Sequence, residues 1–240
     1  MAGAALVLAL TGCGGAVTTP AAPAAPAATM SPTVPAGCPY PQRGGTCLGP
    51  LAGGVYRTVS FSPRITYNVP SGWTNVEDLP SIFLLVPPVG TVDGVDADTS
   101  DFVGIYRGVA PADPDCAKGA QKGVGQSSAA LAAWLRAHEG LIATAARPVN
   151  IGGVTGLVID LRLDPTYRGT CPYIPDRSPV VPLLYGVQSA GVEHGINRSY
   201  TTRLYLLDSQ GANTVVEVVD HAGGTGTADY ARIVERLRFG

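Results

Sequence analysis

The first charged side chain in this 240-residue sequence is Arg43, so every Lys, Arg, Asp and Glu lies in residues 43–240. Residues 14–41 consist mostly of Ala, Pro, Thr and Gly, as in "TTPAAPAAPAATMSPTVPAG". Proline at that density favours an extended, solvated backbone of ~3 Å per residue, and such a segment has too little apolar surface to offset the entropy of ordering it. A fold must therefore be built from the remainder. The chain reads as a short apolar segment at 1–12, a disordered Ala/Pro/Thr-rich tether at 13–41 and one domain at 42–240. That last stretch is long enough for a single sizeable core. Its partners are narrowed by charge. Sixteen basic residues against eighteen acidic ones give a net charge of −2. No basic stripe interleaved with aromatics is present, which sets nucleic acid aside.

Residues Ala4 to Leu10 are apolar but too few to span a bilayer, which takes about 20 residues, and they suit the core of an export signal. Leu10, Thr11, Gly12 and Cys13 follow. This run resembles the bacterial lipobox, Leu-(Ala/Ser/Thr)-(Gly/Ala)-Cys. The resemblance implies cleavage before Cys13, lipid on its thiol and a mature protein anchored on the outer face of the cell membrane. Two or more acyl chains hold stably at ~0.8 kcal/mol per buried methylene, whereas one is marginal. No Lys or Arg precedes the apolar run, which leaves either a start upstream of Met1 or a weak signal.

With Cys13 assigned to lipid, Cys38, Cys47, Cys116 and Cys171 remain, an even number in an exported chain. Oxidised pairing suits that compartment. Of the three connectivities, Cys38–Cys47 with Cys116–Cys171 is favoured, and loop closure gives ~3 and ~4 kcal/mol respectively. A zinc site is disfavoured because no CxxC occurs and the three histidines are scattered, so no metal and no cofactor are expected.

Gly 31 and Pro 21 favour a turn-rich β protein over a helical bundle. "YRTVSF", "RITYNVP", "SIFLLVPP" and "FVGIYRGV" read as strands, with "VDGVDADTSD" as a polar excursion between the last two. In "SSAALAAWLRAH", Leu131, Trp134, Leu135 and His138 recur at i, i+3, i+4 and i+7 behind a serine cap, the pattern of an amphipathic helix. "VNIGGVTGLVIDLRL" predicts a strand, a Gly-Gly turn and a long strand. "VVPLLYGV", "YTTRLYLLD" and "TVVEVVD" follow as strands, the last two joined in a hairpin. The closing "TADYARIVERLRF" predicts a helix capped by Thr227, with Tyr230, Ile233, Val234 and Leu237 as its apolar stripe. Many strands, two helices and hairpin links predict an α+β fold with a mostly antiparallel sheet flanked by helices.

Three stretches occur together: "VPSGW" at 69–73, "AAWLRAHEGL" leading into "RPVNIGGVTGLVIDL" at 132–161, and a closing helix ending "IVERLRF" at 233–239. The combination is similar to actinobacterial cell-envelope lipoproteins and, more distantly, to PsbP-like domains such as the LpqN-type lipoproteins of mycobacteria. That resemblance implies a three-layer domain with an accessory or ligand-binding role, and it supplies no catalytic residue.

The remaining motifs each have a plainer alternative. Gly224-Thr225-Gly226 opens a helix, but the strand before it belongs to a hairpin and no ribose-binding acid follows, so loop and cap explain it. Asp93, Asp96, Asp98 and Asp101 lack the glycine and glutamate of a calcium loop, since Asp101 and Arg107 stand there instead. Glu193-His194 and Asp220-His221 place acids beside imidazoles, yet neighbours on a strand point to opposite faces. Trp73, Trp134, Tyr106 and Tyr205 are candidates to line a cavity for a lipid or glycan, although aromatics at periodic positions usually belong to the core. The function that follows is a membrane-anchored, extracytoplasmic, non-catalytic protein that binds a lipid, a glycan or an envelope protein. The alternative is a secreted hydrolase using His194 or His221 with a neighbouring acid.

Overall fold

A computed structural model describes residues 47–96, 98–187, 192–221 and 226–240. Cys13 and Cys38, the signal segment and the tether lie outside the described residues, and with them the Cys38–Cys47 pairing. In chain order the elements are β1 (Gly49–Pro50), β2 (Gly54–Arg57), β3 (Ile65–Val69), β4 (Thr74–Asp78), β5 (Ile82–Val86), α1 (Val92–Asp96), β6 (Phe102–Arg107), β7 (Val109–Pro111) and α2 (Ser128–Ala137). After them come β8 (Leu141–Ala143), β9 (Arg147–Ile151), β10 (Val154–Leu163), β11 (Val181–Gly186), β12 (Glu193–Ile196), β13 (Thr201–Leu207), β14 (Thr214–Asp220), α3 (Thr227–Glu235) and β15 (Arg238–Phe239).

Nine strands form the central antiparallel sheet, in the order β1-β4-β5-β6-β14-β13-β10-β8, with β9 also pairing β10. Its middle strand, β14, is "TVVEVVD", buried at every position. Such a run fits a strand covered on both faces, where alternation gives way to continuous burial. Val216 and Val218 point into one core with Phe83, Val103, Ile105 and Tyr205. Val215 and Val219 point into the other with Leu84, Ile159, Leu204 and Leu206. Over the first face lie the three-stranded sheet β15-β3-β2 and α3; over the second lie the three-stranded sheet β12-β11-β7 and α2. The domain therefore has three layers, mostly antiparallel sheet with few helices, and each outer layer combines a helix with a small sheet.

Local chemistry accounts for the links. Gly152 and Gly153 take φ of 58° and 88° between β9 and β10, the left-handed pair that a tight hairpin turn demands. Ser127 caps α2 by accepting from Ala130 N at 3.2 Å. Thr227 is the first residue of α3 rather than its cap: the residue before the helix is Gly226, which has no side chain to offer. The acceptor is Asp220, at the end of β14, whose Oδ2 takes Gly226 N at 2.9 Å, Thr227 N at 2.7 Å and the Thr227 hydroxyl at 2.8 Å. The excursion after β5 contains the short helix α1. β4, "TNVED", is buried despite its polarity because the backbone around it consumes those side chains. Asp78 accepts from Val59 N, Ser60 N and Phe61 N, and Asn75 accepts from Leu48 N.

Candidate functional site

"VPSGW" ends β3 and turns the chain into β4. Gly72 sits at φ 90°, open to glycine at little cost, and a Cβ there would lie 3.1 Å from the ring of Pro88. The turn thus packs directly on the Pro87-Pro88-Val89 segment beyond β5. Trp73 follows, buried at 4% exposure, with its ring edge-on to Tyr230 of α3 at 5.6 Å between centroids. These two rings line a cleft of about 920 Å³ between the small sheet β2–β3 and α3. Val69, Pro87, Pro88 and Ile233 supply apolar wall, and Val89, 79% exposed, stands at the mouth. Asp229 and Arg232 of α3 and Arg236, which caps its C-terminus, also border the cleft.

The polar side of the cleft is tied down. Tyr230 donates its hydroxyl to Asp101 Oδ2 at 2.7 Å, and Asp101 Oδ1 accepts His221 N at 2.7 Å. Burial, and then the bond to Asp101, raise the Tyr230 phenol above its ordinary range, so it stays a neutral donor. His221 Nδ1 lies 3.3 Å from Asp101 Oδ1, and its Nε2 lies 2.8 Å from the Asp98 carbonyl. A carbonyl only accepts, so Nε2 carries the proton in that bond. Tyr200 packs on the ring at 4.9 Å.

A second imidazole lies against the face of the central sheet that packs on β11 and β12. His194, on β12, places Nδ1 3.3 Å from Oε2 of Glu217, which is 0% exposed in the middle of β14. Tyr106 packs on the imidazole at 4.6 Å and Phe102 at 6.0 Å. Burial drives Glu217 up to about 8 and His194 down to about 4. Near neutral pH the two meet as a neutral acid and a neutral base, since neither charge has water to solvate it. Thr202 completes the cluster, its hydroxyl 3.3 Å from Glu217 Oε1.

Neither histidine pairs with the acid beside it in sequence. Strand geometry sends Glu193 and His194 to opposite sides, and the partners come from elsewhere in the chain: Glu217 from β14, and Asp101 from the residue just before β6. For a Ser-His-Asp arrangement, the imidazole nitrogen away from the acid must be open to take a proton from the nucleophile. At His221 that nitrogen is engaged by the Asp98 carbonyl, and Ser199, which lines the same depression, gives its hydroxyl to Asn197 at 2.6 Å. His194 borders a pocket of about 170 Å³ whose described lining holds no serine or threonine, and whose cysteine, Cys116, is bonded to Cys171.

Of the four aromatic candidates, Trp73 alone lines the large cleft. Tyr106 and Tyr205 are buried in the two cores, and Trp134 is half-buried on α2, edge-on to His138 at 5.4 Å. The Cys116–Cys171 disulfide joins two loops with Cα atoms 5.5 Å apart. Sequence reasoning placed Tyr230 in a helix stripe and passed over Arg232 and Arg236. Their i, i+4 spacing on a helix leading out of the apolar stripe is the one signal that marks them as a pair on one face.

No family model matches the chain, and no curated protein matches it. Among solved structures it is similar to the solution structure of cyanobacterial PsbP (CyanoP) from Synechocystis sp. PCC 6803, at 9% identity over 82% of this chain and 98% of that one, with a TM-score of 0.39. It is also similar to a crystal structure from Bacteroides thetaiotaomicron VPI-5482, at 15% identity over 79% of this chain, with a TM-score of 0.37. The chain spans 49% of the length of that Bacteroides protein.

Proposed function

We propose that this chain is a lipid-anchored protein on the outer face of the cell membrane whose folded domain binds a small amphiphilic ligand in the cleft between β2–β3 and α3, without catalysing a reaction on it. The observation that carries the reading is the cleft itself. Its volume of about 920 Å³ falls within the ~300–1,000 Å³ usual for small-molecule sites, and its walls are aromatic and aliphatic with polar groups at the α3 side. The non-catalytic half of the reading rests on the two imidazoles, each packed on an aromatic ring beside a buried carboxyl, with no available nucleophile facing either among the described residues. The anchor rests on the Leu10–Cys13 run and the tether behind it, features that also fit the likeness to actinobacterial envelope lipoproteins.

Two measurements test it. The full chain with Cys13→Ala and Trp134→Phe keeps Trp73 as its one tryptophan. Adding decyl glucoside below its micelle threshold then shifts the Trp73 emission with a saturable dependence. Val89→Asp, at a side chain open to solvent, weakens that response by placing a charge in the apolar mouth. A Trp73 signal indifferent to the alkyl probe removes the cleft as a site. For the anchor, clickable fatty acid fed to the native host labels the wild-type chain and leaves Cys13→Ala unlabelled; equal labelling of both overturns it.

A further inference from the structure

We infer that the occupant of this cleft is an anion: an alkyl or acyl chain carrying a phosphate or carboxylate head, the chain along the Trp73 wall and the head against α3. The inference rests on the cleft being the binding site. Two carboxylates and two guanidiniums border or underlie the site, and they are not equivalent. Asp101 is consumed from below, both of its oxygens accepting bonds from Tyr230 and His221. Asp229 pairs only with Arg232, three residues along the helix, and both side chains are more than two-thirds exposed. An ion pair of that kind is weak and readily exchanged. Arg236 is exposed, and among the described residues no hydrogen bond or ion pair engages its guanidinium.

The cleft therefore presents one unengaged guanidinium and a second held loosely, one helical turn apart, beside an apolar wall. Two forked donors at i, i+4 spacing converge on a single tetrahedral or planar oxyanion better than two ammonium groups would, because the guanidinium plane matches two oxygens at once. The wall opposite is mostly proline, valine and glycine, carries no cationic side chain and has Asn68 as its polar side chain, while Trp73, Pro88, Val89 and Ile233 offer apolar contact. The tail gives most of the contact area and the head gives orientation. Free inorganic phosphate has the head without the tail and lacks that contact.

Calorimetry on the full chain with Cys13→Ala separates these contributions, using decyl phosphate, decyl glucoside and inorganic phosphate as probes. The expected result is decyl phosphate binding at least tenfold tighter than decyl glucoside, with inorganic phosphate giving no heat at the same concentrations. Arg236→Gln, at the exposed residue that ends α3, reduces that advantage below about threefold and leaves decyl glucoside unchanged; a melting curve matching the parent excludes misfolding. Equal affinities for the two alkyl probes, or an advantage untouched by Arg236→Gln, overturn the anionic head while the cleft stands. Inorganic phosphate binding as tightly as decyl phosphate overturns the tail. No binding by either alkyl probe overturns the cleft and this inference together.

Discussion

Glu217 is a carboxyl group in the middle of a valine strand, with Gly104 of β6 directly across the ladder. That glycine is required by its neighbour: a Cβ there would lie 2.1 Å from the Tyr106 hydroxyl, so the tyrosine ring can lie along the sheet only because Gly104 has no side chain. The cluster of Glu217, Tyr106, Thr202 and His194 thus occupies a hollow left in an otherwise aliphatic face. Its pH response follows from the two shifts. Glu217 is raised from 4.5 to about 8, so its contribution to stability is fully present below about 4.5 and is lost as pH rises towards 8. His194 is lowered from 6.5 to about 4, so its contribution is fully present above about 6.5 and is lost as pH falls towards 4. The two slopes cancel between about 4.5 and 6.5, and the pair destabilises the fold on either side. Glu217→Gln copies the shape of the neutral acid without its ionisation. Its melting temperature relative to wild type therefore rises between pH 6.5 and 8, by the equivalent of roughly 1–2 kcal/mol. Calorimetric melts at pH 5, 6.5 and 8 read this directly, and a difference that does not change with pH removes the buried-acid account.

Helix α3 shows what an element owes to its surroundings. Its stripe of Tyr230, Ile233, Val234 and Leu237 is legible at 3.6-residue spacing, but its N-terminal acceptor is Asp220, seven residues before Thr227 and on a different element. Asp220→Ala leaves the Gly226 and Thr227 amides without that carboxylate and costs ~1–3 kcal/mol in urea unfolding. The loss is local before it is global: amide exchange at Gly226 and Thr227 accelerates more than in β14, and uniform acceleration would argue against a capping role. The same distinction separates what the chain disclosed from what it hid. α2 was legible because its periodicity and its Ser127 cap are adjacent in sequence. β4 was not, since Asn75 and Asp78 look like loop residues until the backbone amides of residues 48 and 59–61 arrive from elsewhere to meet them. β12 was hidden for a related reason, because only its packing on Glu217 and Tyr106 gives His194 a partner. At the cleft, Trp73 was marked by its aromatic character, whereas Arg232 and Arg236 resembled an ordinary solvated helix face.

At the scale of the whole domain, the central sheet separates two cores that meet different demands. One core, under β3 and α3, carries the cleft; the other, under β11, β12 and α2, carries the Glu217 cluster and is bridged by the disulfide. Cys116 lies in the loop after β7 and Cys171, fully buried, in the loop before β11, at a sequence separation of 55. A link across that separation restricts the unfolded chain by about 4 kcal/mol in the loop-closure account. The Cys116→Ala/Cys171→Ala double variant therefore loses about that much in urea unfolding, and the loss belongs to one layer. Opening those loops admits water to the pocket beside His194 and relieves the desolvation that holds its pKa down, so the imidazole titrates at higher pH in an NMR experiment. The cleft lies on the far side of nine strands, and its walls come from β3, the β5–α1 turn and α3, none of which contacts either cysteine loop through a bond described above. Decyl glucoside accordingly shifts Trp73 emission in the double variant as it does in the parent. A weakened response, in a variant that still melts cooperatively, would mean that the two faces of the sheet are coupled and that the disulfide layer helps to shape the binding site.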